Sequence, residues 1–557
     1  MPNAIRLPTT LAALLLSLSI AGVAAAQTLP TAEVRADAPV ADPLQGFDAY
    51  VENVRTQFDV PGIAVAIVKD GEVVLERGYG VKDLASREPV DAHTMFAIAS
   101  NTKAFTAASL QMLAADGKLD MDDRVIDHLP WFRMSDPYIT REMRIRDLLA
   151  HRSGLALGAG DLLYWPGTDY TTEEVARRLA EVPIEGGFRE QYAYDNILFG
   201  VAQLVVEAAS GQRFEAFLRE RILDPLGMDE TRFNSDHLRP GDNVATGYSK
   251  ADFTKLVAAP RMAWGNVSGA GGLYSSAHDL TRWVRLQLDQ GVVEGEGAHV
   301  RRLFDEAQQR DMWNVLTPIP LGKPSTVPEL AAAAPNFRGY AQGWNVSDYR
   351  GERLVWHTGG WPGFYSRITL VPGHELGVIV LTSAEVGGAF NAVTMRALDA
   401  MLGAMLGEAP TDWTTAYLAA RGNAQEEADE DWRKHQAARV ADSSPSLALD
   451  GYAATYRDPW YGDVVVARNG DALRIRFTRS PALVGTLSHW QHDSFVVRWD
   501  ERWLNADAFL TFDLGPDGDV RAARMEAISP LTDFSFDFHH LRLEPVDDDA
   551  ASNGDDA

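Results

Sequence analysis

Ser100-Asn101-Thr102-Lys103 is the one Ser-x-x-Lys in this chain, and the residues after it, AFTAASLQMLAADGKL, place apolar side chains at helical spacing. The pair therefore opens a predicted helix, one turn apart and pointing the same way. A serine hydroxyl is a poor nucleophile until a neighbouring base takes its proton. A lysine is such a base where burial and local charge keep it partly neutral. The helix N-terminus adds a positive field that favours oxyanion character at Ser100. The chemistry of such a pair is acyl transfer through a covalent serine intermediate.

Three later segments bear on that reading. Tyr194-Asp195-Asn196 offers a phenol that can share a proton with a lysine and an amide that can hold a carbonyl. The same residues also suit a cap for the helix read over ILFGVAQLVVEAASG (197–211). His357-Thr358-Gly359-Gly360 follows the strand-like RLVW, where small residues let backbone N–H groups approach a ligand. A plain glycine turn fits it as well. LLAHRSGL (148–155) reads as a helix ending in a turn, with His151 a turn residue rather than a base. Trp356 and Trp361 flank the His357–Gly360 segment, where they suit an acyl pocket or core packing.

Strands and helices must bring these pieces together. GIAVAIVKDGEVVLERGYGV (62–81) reads as a hairpin turning at Asp70-Gly71. Strand-like runs return at 353–358, 366–372 and 376–383. A helix-rich middle between strands from both ends predicts one mixed sheet assembled from distant segments. Residues 406–446 are charged, Ala-rich and then Ser/Pro-rich, a helical linker ending in a turn segment. From 447 to 545 short strands dominate (DVVVAR, ALRIRF, SFVVRW, AFLTFDL, VRAARME), as in a small antiparallel barrel or sandwich.

The chain ends bear other signals. Arg6, the apolar LAALLLSLSIAGV and Ala24-Ala25-Ala26 form a secretory signal over 1–26. A polar, Pro/Ala-rich lead-in occupies 27–44, and an acidic disordered tail 546–557. The 557 residues hold 78 Asp+Glu against 51 Lys+Arg, which argues against nucleic acid or an anionic membrane as partner. With no cysteine, the chain has no disulfide, thiolate metal site or lipidated N-terminal cysteine. The expected product is a soluble bacterial periplasmic or secreted enzyme with no membrane span after signal cleavage. There is no G-x-S-x-G elbow, no HExxH and no P-loop, and His278, His539 and His540 lack ligand spacing. No metal and no cofactor are expected.

The order Ser-x-x-Lys, Tyr-x-Asn, His-Thr-Gly resembles the serine β-lactamase-like superfamily. Within it the chain is similar to the branch of class C β-lactamases, D-aminopeptidases and D-alanyl-D-alanine carboxypeptidases (peptidase family S12). FAIASNTKAFTA, LLAHRSGL, YAYDNILFGVAQLVVEAASG, SGAGGLYSSAHDL and HTGGWPGF carry the likeness over about 45–405. GYAATYRDPWYGDVVV and the short strands after it resemble a lipocalin-like accessory domain. The resemblance implies an α+β fold: a β-lactamase/transpeptidase-like catalytic domain at 45–405 plus a C-terminal antiparallel β-barrel-like domain at 447–545. It implies Ser100 as acylated nucleophile, Lys103 as proton acceptor or relay, and Tyr194 as base with Lys103 and then acid toward the leaving group. Asn196 would hold the acyl-side amide, and Ser100 and Gly360 N–H groups the oxyanion. His357, Thr358 and Gly359 complete the implied substrate-binding strand. His357 stands where many members carry lysine, so it would hold a substrate carboxylate less firmly than an ammonium. Asp195 adds charge that would favour a substrate amine. The implied activity is a serine hydrolase cleaving small or linear peptides, including D-residue peptides. Carboxylesterase, β-lactamase and non-catalytic penicillin-recognising protein are the alternatives. The barrel is a candidate surface for homo-oligomers, and chemistry is expected to need nothing beyond 405.

Overall fold

The computed structural model describes residues 42–263, 265–293, 301–406 and 411–546. The signal, nearly all of the lead-in and the acidic tail from 547 onward lie outside them. The central sheet grows from the hairpin β1 (Gly62–Lys69) and β2 (Glu72–Gly80). Asp70 and Gly71 both take positive φ, the geometry of a two-residue turn that keeps the strands' right-handed twist. Six strands from later in the chain complete it: β3 (Thr317–Pro318), β4 (Arg338–Tyr340), β5 (Asn345–Tyr349), β6 (Glu352–Trp361), β7 (Phe364–Val371) and β8 (Leu376–Thr382). Their order is β3-β4-β5-β6-β7-β8-β1-β2, and every pairing is antiparallel.

The sheet is covered on both faces, which explains why β1 is apolar throughout. Ala64, Ala66 and Val68 enter one core, with α2 (Thr102–Ala115), α3 (Ile197–Ser210) and α4 (Ala277–Leu288). Ile63, Val65 and Ile67 enter the other, against α1 (Phe47–Gln57) and α5 (Gly387–Leu406). Burying the six side chains Ile63, Ala64, Val65, Ala66, Ile67 and Val68 of one strand in this way contributes on the order of 10 kcal/mol before entropy is counted. Helix α3 ends where Gly211 adopts the left-handed conformation that a side chain would resist.

Helix α6 (Trp413–Ala438) leads to a second antiparallel sheet of eight strands. These are β9 (Ala454–Asp458), β10 (Gly462–Asn469), β11 (Ala472–Phe477), β12 (Val484–Gln491), β13 (Ser494–Trp499), β14 (Ala508–Leu514), β15 (Val520–Ala527) and β16 (Glu544–Pro545). β16 pairs with β9, and Leu543 just before it bridges to Ala523 of β15, so the sheet curls into a nearly closed barrel. The fold is thus the α+β class the sequence implied, with a C-terminal antiparallel barrel. Its interior (Tyr452, Phe495, Phe512, Trp499) belongs to the same continuous core as the helical layer around α2 and α3. β9 and β12 escaped the sequence reading.

Candidate active site

A buried strand, Met95–Ala97, delivers the chain to a tight turn at Ala99–Asn101, and α2 begins at Thr102. Ala99 holds φ 47°, a left-handed conformation that a residue with a Cβ adopts only when its surroundings enforce it. Asn101 Nδ2 donates to Ser366 Oγ at 2.8 Å, and that hydroxyl donates to the Ile98 carbonyl at 2.8 Å. β7 therefore clamps the turn that presents Ser100.

Lys103 is fully buried. Its Nζ donates to Ser100 Oγ at 2.9 Å, Asn196 Oδ1 at 2.7 Å and the Ala270 carbonyl at 2.9 Å. Burial brings its pKa down to about 7, against the opposing pull of Asp161 and Asp195. Tyr194 is pushed the other way: burial raises its phenol well above the ordinary range, while the Ser100 hydroxyl works to lower it. The Lys103 ammonium lies 4.9 Å from the Tyr194 ring centroid. Near neutrality the arrangement holds a lysine able to accept a proton and a tyrosine that keeps its own.

Asn196 is not a capping side chain. Its Oδ1 takes the Lys103 bond and its Nδ2 donates to Asp161 Oδ2 at 2.9 Å. Asp161 is buried, with its carboxyl raised to about 8 by desolvation. Ser535 Oγ, from the barrel, also donates to it at 2.8 Å, and the Tyr164 hydroxyl joins Asn196 and Ser535 in favouring its ionised form. A hydrogen-bonded chain thus runs Ser535–Asp161–Asn196–Lys103.

Two expectations need correction. Asp195 does not face the cleft: it is buried, accepts from Ser153 Oγ at 3.2 Å, and its backbone N–H donates to His151 Nδ1 at 3.2 Å. His151 is the turn residue expected, with φ 52° and its ring 4.1 Å from that of Tyr194. His357 has no nitrogen to offer a substrate carboxylate. Its Nδ1 lies 2.6 Å from the Thr358 carbonyl and so carries the proton, which leaves Nε2 to accept from Tyr340 Oη at 2.8 Å. Burial lowers its pKa well below the ordinary value, so the ring is neutral.

β5 pairs with β6 only as far as Trp356, so residues 357–361 present an open strand edge. Ser100, Tyr194, Asn196, His357, Thr358 and Gly360 line one cleft of about 590 Å³. Gly359 instead packs against the Ile98 carbonyl, where any Cβ would collide. Trp356 reaches the cleft, whereas Trp361 is buried against Trp165, ring centroids 6.3 Å apart.

The expectation that chemistry needs nothing beyond 405 also fails structurally. The loop after β15 enters the cleft with Asp533, Phe534 and Ser535. It is seated by the Gly160 N–H donating to Asp537 Oδ2 at 2.6 Å, by Phe536 against Trp165, and by Phe534 edge-on to Tyr194 at 5.8 Å. Asp533 is exposed and lines this cleft and the one beside it; its Oδ1 accepts from the Ser535 backbone N–H at 2.9 Å, and desolvation by the surrounding protein raises its carboxyl above the ordinary range. Sequence reasoning missed this loop, Asp161, Tyr340, Arg338 and Arg367. Its one signal was Phe534, Phe536 and Phe538 at every second position, an alternation that a simple turn does not need. Elsewhere the structure gathers histidines that spacing had set aside: His278 with His93 and Glu76, and His539 and His540 with Asp537.

Residues 47–401 match the Beta-lactamase family, and residues 438–545 match a domain of unknown function, DUF3471. The chain is 28% identical over 468 residues to the unguisins hydrolase ungD of Aspergillus violaceofuscus, covering 79% of each. It is 27% identical over 343 residues to protein flp of Staphylococcus aureus strain MW2, covering 61% of this chain and 63% of that one. An octameric penicillin-binding protein homologue from Pyrococcus abyssi shares its fold (TM-score 0.55, 20% identity, 90% of this chain and 99% of that one). So does the D-amino acid amidase of Ochrobactrum anthropi SV3 (TM-score 0.55, 20% identity, 66% of this chain and 100% of that one).

Proposed function

The chain belongs to the β-lactamase family of serine hydrolases, and from that premise we propose that it is a peptidase on small or linear peptides with a free amino end, D-residue peptides included. The observation that carries this reading is Asp533, a carboxylate open on the wall of the cleft that holds Ser100. A neutral ester or a β-lactam without an amino side chain has no group for it, whereas the ammonium of a peptide or aminoacyl amide does. The curated relative named as a hydrolase of unguisins points to hydrolysis as well.

In this reading Ser100 Oγ attacks the scissile carbonyl and passes its proton to neutral Lys103. The oxyanion forms against the Ser100 and Gly360 N–H groups. Tyr194 then gives its proton to the departing amine as the C–N bond breaks, and Lys103 restores it. Water repeats the sequence on the acyl-serine. Asn196 keeps Lys103 aimed at Ser100 and leaves the acyl amide to the open edge of β6.

A panel read by mass tests the substrate: D- and L-aminoacyl amides, D-Ala-D-Ala peptides, p-nitrophenyl esters and nitrocefin. Cleavage of the aminoacyl amides, weakened in Asp533→Asn through KM, is the expected result. Turnover of esters or nitrocefin alone would overturn the reading. We further propose that 1–26 directs export to the periplasm or beyond, which N-terminal sequencing from the native host checks. No helix among the described residues is long and apolar enough to cross a membrane. The barrel as an oligomer surface remains part of the proposal; the penicillin-binding protein homologue of similar fold is octameric.

A further inference from the structure

Two histidines and two glutamates that the reaction does not use meet at the edge of the central sheet. Glu76 lies on β2, the edge strand. His93 stands two residues before the strand Met95–Ala97, and His278 is the second residue of α4. Glu230 precedes the short strand Arg232–Phe233. The two imidazole rings are 4.4 Å apart, centroid to centroid. His278 Nδ1 lies 2.7 Å from Glu76 Oε1, and His93 Nδ1 lies 2.7 Å from Glu230 Oε1. One ligand atom each from Glu76, His93 and His278 falls within 4.8 Å of the other two.

Neighbouring groups hold both histidines in place. Asp91 Oδ1 accepts from the His93 backbone N–H at 3.0 Å, and the His278 backbone N–H donates to the Ala92 carbonyl at 3.1 Å. Ser276 Oγ donates to Glu230 Oε2 at 2.5 Å. Glu230 thus stands where the outer carboxylate belongs in a carboxylate–histidine–metal chain: it takes His93 Nδ1 and leaves Nε2 as the ligand nitrogen. Among the described residues, the ion pairs of Glu76 and Glu230 are with these histidines alone, although the chain has 51 Lys+Arg. The negative charges of Glu230, Asp91 and Glu76 all bear on His93.

Two imidazoles and one carboxylate are a donor set for zinc, with a fourth position left to water. Tetrahedral zinc with bonds of about 2.0–2.1 Å sets its ligand atoms about 3.3 Å apart. From their 2.7 Å separation, Glu76 Oε1 and His278 Nδ1 need to part by only about 0.6 Å to meet that spacing. His93, the exposed member, is free to close the remainder. Solvated His–Glu pairs alone need neither adjacent rings nor a third ligand atom within reach. We propose that Glu76, His93 and His278 form a binding site for a divalent transition-metal ion, zinc above all, with Glu230 as the outer partner of His93. The ion takes no part in hydrolysis. It joins β2 to the paired strands Met95–Ala97 and Leu273–Ser276 at the Met95–Ser276 end, and the opposite end leads into the Ser100 turn. Bound metal braces, from outside, the segment that presents the nucleophile.

The test takes the full-length protein through a chelator, then titrates it with zinc chloride by calorimetry and with Co2+ by visible absorption. One equivalent of Zn2+ should bind, and the melting temperature should rise with it, because the ion favours the folded chain. His93→Ala and His278→Ala should each lose that equivalent. Glu230→Gln should keep it with affinity lower by about 10- to 100-fold, the cost of removing an outer partner. His539→Ala, in the separate cluster with Asp537 and His540, should bind as the native chain does. Hydrolysis of p-nitrophenyl acetate should proceed equally with and without the ion; a reaction that needs it would overturn the bracing role. No saturable Zn2+ binding to the native protein would overturn the site. So would an equivalent retained in folded His93→Ala and His278→Ala, or one lost in His539→Ala alone. Where the histidine variants misfold by circular dichroism, Glu230→Gln decides, since it keeps every ligand: undiminished affinity there would refute the arrangement.

Discussion

Replacing Ser535 with alanine should shift the pH at which the enzyme becomes active, although this residue lies 374 positions from Asp161 in the chain and touches no substrate atom in the reading above. Lys103 and Asp161 titrate close together, at about 7 and about 8, and Asn196 links them. The Ser535 hydroxyl stabilises the ionised form of Asp161. Removing a hydrogen bond to a charged group withdraws about 1.5–3 kcal/mol from that form, or about one to two pH units in the carboxyl's own ionisation. Asp161 then stays neutral to higher pH. A neutral Asp161 no longer favours the Lys103 ammonium, so Lys103 loses its proton at lower pH. Because Asp161, at about 8, is already mostly neutral where Lys103 titrates, the acidic limb of kcat/KM near pH 7 should move down by only a small part of the Asp161 change, about a few tenths of a pH unit at most. The assay is p-nitrophenyl acetate hydrolysis from pH 5 to 9, and Ser535→Thr, which keeps the donor, should restore the native limb. The loop remains seated by Asp537 and Phe536, so lost docking is not the expected outcome. An unmoved limb, or one displaced upward, would refute the relay.

Ser100→Ala should end labelling by a fluorophosphonate while circular dichroism stays native; an adduct on another serine would contradict the assignment. Lys103→Ala and Tyr194→Phe should each cost about 10²-fold or more in kcat, and the double variant little more than either alone, because the pair moves one proton. Gly359→Ala should cost about 1–3 kcal/mol of stability by driving a Cβ into the Ile98 carbonyl and displacing the nucleophile turn, which thermal melting would register. Truncation after residue 440 should lower acylation by a small ester well beyond tenfold, since it removes Ser535 and the cleft wall; a folded truncated chain with native rates would show that the barrel loop is dispensable.

The sequence made legible what short range dictates. Asp70-Gly71 announced its turn because the backbone there needs positive φ at two successive residues. Gly211 announced the end of α3 for the same reason. Ser100 and Lys103 were visible because one helical turn joins them. Asp161, Tyr340 and Ser535 were not, because each reaches the site across the fold and nothing in its neighbours marks it. His357 shows the limit from the other side: its position was readable, but Tyr340 and the Thr358 carbonyl fix which nitrogen holds the proton. The strand β12, VGTLSHWQ, escaped notice because Gly485 and the polar Ser488 and His489 dilute the pattern that β11 and β13 display.

The placement of residues 533–535 in the cleft also sets an order in time. A ribosome releases Ser100, Lys103 and Tyr194 long before it reaches the loop that walls them in and supplies the donor to Asp161. A nascent or prematurely terminated chain therefore carries the nucleophile and its base in an unfinished cavity. The cleft around Ser100 is walled only once residues 533–535 have been made and the barrel has folded against the catalytic part.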